Sequence, residues 1–197
     1  MDRNDPVWLE EAALAQRAAS DRYYFATLYD RYFPRVYNYM RFRCSDPQTA
    51  DDLTSLVFEK ALKEIAHYQA ERAPFAVWLF TIARNTLTDH LRAGQRHPWL
   101  SLDLLRGHSN PDHSTEEALI EAETRDNLTR ALARLSERER DLIALKFQAG
   151  LNNRQIAEMT RLSESNVGVT VFRAIQRLRV LMEGQVVIEE GKRYERA

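Results

Sequence analysis

Five polar side chains near the C-terminus have the types and the spacing that a nucleic-acid contact requires. They fall on one face of a predicted helix and are Ser165, Asn166, Thr170, Arg173 and Arg177. Hydroxyl, amide and guanidinium groups on such a helix can reach phosphates and base edges in a DNA major groove. The alternative is an αα-hairpin whose polar face contacts another protein. The pattern favours DNA binding.

A second polar face lies in the first half of the chain, on a helix predicted after Pro74. At helical spacing it carries Thr81, Arg84, Asn85, Thr88, Asp89, Arg92 and Arg96. Such groups can hold single-stranded nucleic acid by phosphate contact and base stacking, here beside an aromatic such as Phe80, which we expect to be exposed. Taken alone, the spacing favours the alternative, a solvated helix face.

Catalytic and metal chemistry has few candidates in this sequence. It contains neither a Gly-rich phosphate loop nor an H-E-x-x-H motif. The single cysteine, Cys44, excludes an intrachain disulfide and a Cys-rich zinc site, and we expect it to be partly buried. Asp51 and Asp52 could form an acid/base dyad, but two acids in a first helical turn more simply favour the helix dipole. We therefore predict no catalytic residue, no metal site and no cofactor.

Composition and charge restrict the class of protein. The chain has 197 residues, 44% hydrophobic and 29% charged, with six Gly and six Pro. These values are typical of one or two globular domains and argue against a turn-rich β-sandwich or a disordered chain. The net charge is −1, but residues 154–182 carry five Arg against two Glu, a local basic excess. Without an apolar run of ~20 residues or a secretion signal, we expect a cytoplasmic protein that does not insert into a membrane.

Apolar residues at helical spacing predict three helices in the first half of the chain. The first carries a stripe from Phe25 to Met40, and Pro34 inside it predicts a kink or a break. The second begins at Asp46 and Pro47, an N-cap followed by proline at the first helical position. Its predicted inward residues are Leu53, Leu56, Val57, Ala61 and Ile65. The third, after Pro74, turns inward Phe75, Trp78, Leu79, Ile82, Ala83 and Leu87.

The second half of the chain predicts a helix-turn-helix. Ser136 begins an S-x-x-E capping box, and the helix it opens is expected to end near Gly150. Asn152 caps a short helix over 153–160, and Ser163 caps a final helix that reaches about Glu183. Between the two halves, residues 97–117 lack helical periodicity and predict a linker. The expected fold is all-α, with two small helical domains joined by a flexible linker that can hold them well apart.

Three sets of residues, taken in chain order, form a recognisable pattern. The first two helices carry Phe25, Leu28, Tyr29, Arg31, Tyr32, Pro34–Tyr37, Asp51–Thr54, Val57 and Phe58. The third carries Trp78–Phe80, Ile82–Asn85, Asp89 and Arg92. The C-terminal half carries Arg138–Asp141, Ile156–Glu158, Asn166, Val167 and Phe172–Ala174. The order of these segments resembles bacterial sigma-70 family initiation factors, and the short chain resembles their extracytoplasmic-function subgroup.

The resemblance implies a role for each segment. Residues 1–19 would be a lead-in, 20–96 sigma region 2, 97–117 the linker, 118–183 sigma region 4 and 184–197 a tail. Core RNA polymerase would be bound at its β′ clamp helices by Asp51, Asp52, Leu53, Thr54 and Phe58. The unpaired strand of the −10 element would be held by Trp78, Arg84, Asn85, Thr88, Asp89 and Arg92. The −35 element would be read by Ser165, Asn166, Thr170, Arg173 and Arg177.

The same resemblance implies further partners and a non-enzymatic role. The partners are the β flap of core RNA polymerase, promoter DNA and an anti-sigma factor that controls the protein. The chain departs from the family pattern at two places. Gly168 and Val169 stand where family members often carry basic or hydroxyl residues, and Arg161 stands at the turn of the helix-turn-helix where Gly is frequent. A positive φ at Arg161 would cost about 1 kcal/mol.

Two rival classes fit parts of the sequence. A stand-alone helix-turn-helix regulator, such as the effector domain of a response regulator, would need a receiver domain with a parallel sheet, and residues 20–96 show no strand periodicity. A helical hydrolase would use Asp51 and Asp52 as its acid and base.

Overall fold

A computed structural model describes residues 6–44, 46–93, 124 and 127–194, and the regular elements in these ranges are all helical. In chain order they are α1 (Pro6–Ala18), α2 (Tyr23–Arg43), α3 (Pro47–Glu64), a 3₁₀ turn (Ile65–His67), α4 (Phe75–Ala93), α5 (127–133), α6 (Glu137–Ile143), a π-helical segment (Ala144–Gln148), α7 (Asn153–Thr160) and α8 (Glu164–Tyr194). The all-α prediction is confirmed. Helices α1–α4 are called the N-terminal unit below, and α5–α8 the C-terminal unit.

The N-terminal unit packs α2, α3 and α4 around large buried side chains. Tyr32, Tyr39, Phe75 and Phe80 are each at most 1% exposed, and their rings meet mostly edge to face. Of the residues predicted to face inward on α3, Leu56 is 37% exposed, so that prediction was wrong for this one position. Cys44 is fully buried rather than partly buried.

Helix α2 runs without interruption through Pro34, so the predicted break does not occur. Proline removes one backbone donor and crowds the preceding turn. The buried stripe continues on both sides of it, through Leu28 and Tyr32 before and Val36 and Tyr39 after. Packing of one apolar face against a common core supplies most of a helix's stability, which outweighs the local cost of Pro34.

The C-terminal unit forms its helix-turn-helix with the predicted caps. Ser136 accepts from the Glu139 amide at 3.3 Å while the Glu139 carboxylate accepts from the Ser136 amide at 2.7 Å. Asn152 makes the same reciprocal pair with Gln155, at 2.9 Å in both directions. Ser163 Oγ accepts from the Asn166 amide at 3.2 Å and opens α8. Each cap satisfies a backbone donor that the helix itself leaves unpaired.

Two residues with positive φ end helices in this unit. Gly150 has φ +64° and lets the chain turn after the π-helical segment, as predicted. Arg161 has φ +57° and ψ +30°, so the left-handed turn between α7 and α8 is made by a residue with a Cβ. Helix α8 extends to Tyr194, well past the predicted end near Glu183. Gly184 did not end it, because one interior glycine costs a helix only about 1 kcal/mol.

The two units pack against each other through a continuous core. Buried residues of one cluster extend from Phe25 and Leu28 in α2 to Leu145, Ile156 and Val167 in the C-terminal unit. Helix α2 lies against the π-helical segment, and α4 lies against α7. The predicted linker, 97–117, lies outside the described residues. In the described part of the chain, no helix is both long and apolar enough to cross a membrane.

Candidate nucleic-acid interface

The outward face of α4 presents most of the polar residues predicted there. Asn85, Asp89 and Arg92 are exposed. Thr88 is half-buried and donates from its hydroxyl to the Arg84 carbonyl at 2.8 Å, a bond that turns the hydroxyl back onto the helix. A strand lying along this face would therefore meet amide, carboxylate and guanidinium groups first.

Phe80 does not belong to this face. It is 0% exposed and lies edge to face with Tyr39, with a centroid separation of 5.9 Å. The expectation of an exposed ring was wrong because Phe80 continues the apolar row Ala76, Ala83 and Leu87, which points into the core. The partly exposed aromatic of α4 is Trp78, which packs at 5.4 Å from Phe75 and 5.3 Å from Tyr68. Of the aromatic side chains on α4, Trp78 is therefore the one that is partly accessible at the surface.

Arg84 is half-buried and already has a partner. Its Nε donates to Asp141 Oδ2 at 2.8 Å, and Asp141 belongs to α6 in the C-terminal unit. Burial by itself would lower the pKa of the Arg84 guanidinium, but the charge of Asp141 and its hydrogen bond raise the pKa above the ordinary value. Arg84 is therefore a permanent cation that neutralises one anion in this arrangement.

The outward face of α8 presents the second predicted surface. Ser165, Asn166, Arg173 and Arg177 are exposed, and Thr170 is half-buried with its hydroxyl 3.1 Å from Asn166 Oδ1. Arg177 also lies 3.8 Å from the Glu139 carboxylate. On the inner side, Ile156 and Val167 are fully buried between α7 and α8. The fold thus fixes the angle of α8 from within and leaves its polar face open.

Helix α3 places only part of its predicted polymerase-binding set on the surface. Asp51 and Asp52 are exposed, and Asp52 accepts from Gln48 Nε2 at 3.2 Å. Leu53 and Phe58 are 6% and 5% exposed, and the buried Thr54 hydroxyl donates to the Ala50 carbonyl at 2.7 Å. Leu53, Thr54 and Phe58 therefore lie beneath the surface of α3 and do not form part of it.

Two partly exposed side chains at helix α3 lie outside the predicted polymerase-binding set. Leu56 is 37% exposed and Tyr29, whose ring lies 4.6 Å from Phe58, is 38% exposed. Leu56 follows Asp52 by four residues, a spacing that places both on the same helical face and was available in the sequence.

The rival classes find little support in this geometry. The described residues within 20–96 form helices where a receiver domain would need a parallel sheet. Asp52 pairs with the neutral Gln48, and in the described ranges no group of three or more His, Cys, Asp or Glu is placed to hold a metal ion.

Family models and known proteins resemble this chain over most of its length. The model described as Sigma-70 region 2 matches residues 28–97, and the one described as Sigma-70, region 4 matches residues 125–178. The ECF RNA polymerase sigma factor RpoE of Cereibacter sphaeroides is 32% identical over 180 residues, which cover 90% of this chain and 95% of the relative. The ECF RNA polymerase sigma factor BldN of Streptomyces coelicolor is 29% identical over 181 residues, 92% of this chain and 68% of the relative.

A solved structure has the same fold. The sigma factor RpoE of Bartonella quintana, crystallised with the anti-sigma factor NepR, matches with a TM-score of 0.64 and 21% identity. The match covers 81% of this chain and 96% of that one.

Proposed function

The chain belongs to the extracytoplasmic-function group of the sigma-70 family, and we propose that it divides promoter recognition between its exposed α4 and α8 faces. As a sigma factor it directs promoter recognition and transcription initiation by RNA polymerase. The observation that carries the division is that Asn85 and Arg173 are both exposed, on helices of different units. Each face can therefore meet a different stretch of DNA.

The α4 face holds the unpaired strand of the −10 element. Asn85 and Asp89 offer hydrogen-bonding groups to base edges, Arg84 and Arg92 contact phosphates, and Trp78 supplies a ring for stacking. Thr88 lines the same face. Unpairing a base costs a few kcal/mol, and stacking returns about 1–3 kcal/mol per base. A face that combines both kinds of contact can therefore keep a strand open.

The α8 face reads the −35 element as duplex DNA. Ser165, Asn166 and Thr170 lie at the N-terminal end of the second helix of the helix-turn-helix, the end that contacts base edges in this motif. Arg173 and Arg177 lie further along and neutralise phosphates.

Core RNA polymerase docks on the N-terminal unit through Asp51 and Asp52. Leu56 and Tyr29 are partly exposed and supply apolar surface that is buried in that contact. Leu53, Thr54 and Phe58 hold the helix in place rather than touching the β′ clamp helices directly. The C-terminal unit meets the β flap.

The protein is not itself an enzyme but lends these surfaces to the polymerase, and it acts where polymerase and chromosome are, in the cytoplasm. A separate anti-sigma protein controls it, as the complex of the Bartonella quintana sigma factor with NepR suggests by analogy.

Reconstitution tests the proposed function. The purified protein is mixed with core RNA polymerase, the complex is isolated, and run-off transcription is measured on genomic fragments with core alone as the control. We expect discrete transcripts that require the protein and share one pair of upstream elements. A stable complex that initiates at the same positions as core alone would contradict the proposal.

A further inference from the structure

We propose that Asp141 competes with DNA for Arg84 within the same molecule. The Asp141 carboxylate binds the Arg84 guanidinium where a DNA phosphate would bind, and this contact keeps the two units of the free protein closed. This inference rests on the proposed role of Arg84 at the −10 strand.

The Asp141 carboxylate contacts three side chains of the other unit. Its carboxylate accepts from Tyr39 Oη at 3.0 Å and from Arg84 Nε at 2.8 Å, and lies 3.7 Å from Arg43 Nη1. All three partners belong to α2 or α4, whereas Asp141 lies on α6. An acid that is only 8% exposed must be paired to be tolerated, and here the pairing comes from across the junction. Its role is therefore to join the units.

The chemistry of this contact matches that of a phosphate contact. A guanidinium recognises carboxylate and phosphate oxygens with the same donors and at similar distances. While Nε of Arg84 donates to Asp141, it is not available to a DNA strand. Burial raises the pKa of Tyr39 well above its ordinary value, so its hydroxyl keeps the proton that it donates to Asp141.

The rest of the junction shows that the closed arrangement is a specific one. Arg35 of α2 donates from Nε to the Ala149 carbonyl at 2.8 Å, at the end of the π-helical segment. The same guanidinium stacks over the Tyr32 ring at 4.8 Å. Alongside Asp141 the junction leaves a cleft of about 600 Å³, lined by both units. The junction thus combines specific polar contacts with a cleft, as expected of an interface that can open and close.

A ligand that binds only the open form has an apparent affinity reduced in proportion to the fraction of molecules that are open. Removing the Asp141 charge takes the carboxylate from Arg84 only in the closed form, whereas Arg43 keeps its ion pair with Glu137 at 3.7 Å. The substitution therefore destabilises the closed form relative to the open form. We expect the variant Asp141→Asn to be more open, and its Arg84 to be more available to a strand.

The first test measures opening in the full-length free protein, without DNA or polymerase. Donor and acceptor dyes are attached at Ser20→Cys and Arg179→Cys, two exposed positions on opposite units, while the buried Cys44 stays unlabelled. Asp141→Asn should lower the energy-transfer efficiency. Glu158→Gln is the matched control, because Glu158 is an acid of the same unit but its side chain is exposed. Tyr39→Phe provides a second variant if Asp141→Asn loses its helical circular dichroism.

The second test measures Arg84 directly, with a fluorescent oligodeoxythymidylate as the single-stranded probe. Asp141→Asn should bind about fivefold more tightly or better than wild type, whereas Glu158→Gln should be unchanged. Adding Arg84→Ala should abolish the gain. Unchanged transfer efficiency, or a gain in binding that survives Arg84→Ala, would overturn the proposal. Neither assay uses a promoter, so failure of the proposed −10 role would appear only in transcription assays.

Discussion

The hydroxyl of Tyr32 donates a hydrogen bond to the Glu11 carboxylate at 2.7 Å, which joins α1 to the middle of α2. Tyr32 is 1% exposed and Glu11 is 5% exposed, so the pair lies within the core. Arg31 adds charged contacts to Glu10 at 2.8 Å and to Glu11 at 3.4 Å. Helix α1 precedes the matched region 28–97, yet these contacts make it part of the N-terminal unit.

Tyr32→Phe should therefore destabilise the protein. The substitution keeps the ring and removes the donor, so the buried Glu11 carboxylate loses its shortest hydrogen bond. We expect a loss of about 1–3 kcal/mol in the free energy of unfolding, measured by urea denaturation. Tyr23→Phe on the same helix is the control, because Tyr23 is 76% exposed. Equal stability of the two variants would show that the Tyr32 bond contributes nothing.

Arg161→Gly should leave stability equal or raise it by up to about 1 kcal/mol, because glycine adopts positive φ without steric strain. Arg161 has φ +57° and its side chain is exposed, so little contact is lost. Thermal melting provides the measurement. Glu158→Gly, at an exposed position inside α7, should lower stability by about 1 kcal/mol. A clear drop in melting temperature for Arg161→Gly would reveal contacts of its guanidinium that stabilise the turn.

Stability should fall as the pH rises above about 8.5, because buried groups resist deprotonation in the folded state. Burial raises the pKa of the Cys44 thiol to about 12 and raises the pKa values of Tyr32, Tyr39 and Tyr68 above their ordinary range. In the unfolded chain the thiol ionises near pH 8.5 and the phenols near pH 10. The folded state then binds more protons than the unfolded chain. For each such group, the free energy of unfolding falls by about 1.4 kcal/mol per pH unit above the unfolded pKa.

Melting temperatures measured in steps from neutral to alkaline pH check this expectation. Cys44→Ala should flatten the first part of the decline, below about pH 10, and leave the steeper part due to the tyrosines. A melting temperature that stays constant to about pH 10.5 would mean that these groups ionise in the folded protein as readily as in the unfolded chain.

Features that depend on residues close together in the chain could be predicted from the sequence. The caps at Asp46, Ser136 and Asn152 depend on residues three positions away, and the structure confirms all three. The contact between Tyr39 and Asp141 spans 102 positions, and no periodicity encodes it. Phe80 was misplaced because helical spacing gives the direction of a face but not the width of the buried stripe.

Polymerase docking should depend on Asp52 and Leu56 together. The sequence alone would pair Asp52→Ala with Leu53→Ala, but Leu53 is 6% exposed, and truncating a core leucine costs about 2–5 kcal/mol in stability. The double variant Asp52→Ala/Leu56→Ala should keep its melting temperature and bind core enzyme at least about tenfold more weakly. Asp30→Ala, another exposed acid of the N-terminal unit, is the control. Unchanged capture of core enzyme by the double variant would refute the docking surface.

The α4 and α8 faces should respond differently when the promoter is opened in advance. Asn85 is proposed to act on unpaired bases, so Asn85→Ala should impair transcription from a fully paired promoter. A template mismatched only over the −10 region removes the cost of unpairing, a few kcal/mol per base, and should largely restore activity. Some loss should remain, because the open strand still has to be held.

Arg177→Ala should show no such selective rescue, because Arg177 is proposed to contact duplex DNA upstream of the bubble. Losing one phosphate contact weakens binding across sequences and lowers the salt dependence by about one unit of slope. Run-off transcription on paired and mismatched templates, with salt titration of promoter binding, measures both effects. Arg177 also lies 3.8 Å from Glu139, so the Arg177→Ala melting temperature is measured alongside. Equal rescue of both variants by the mismatch, or of neither, would contradict this division between the two helices.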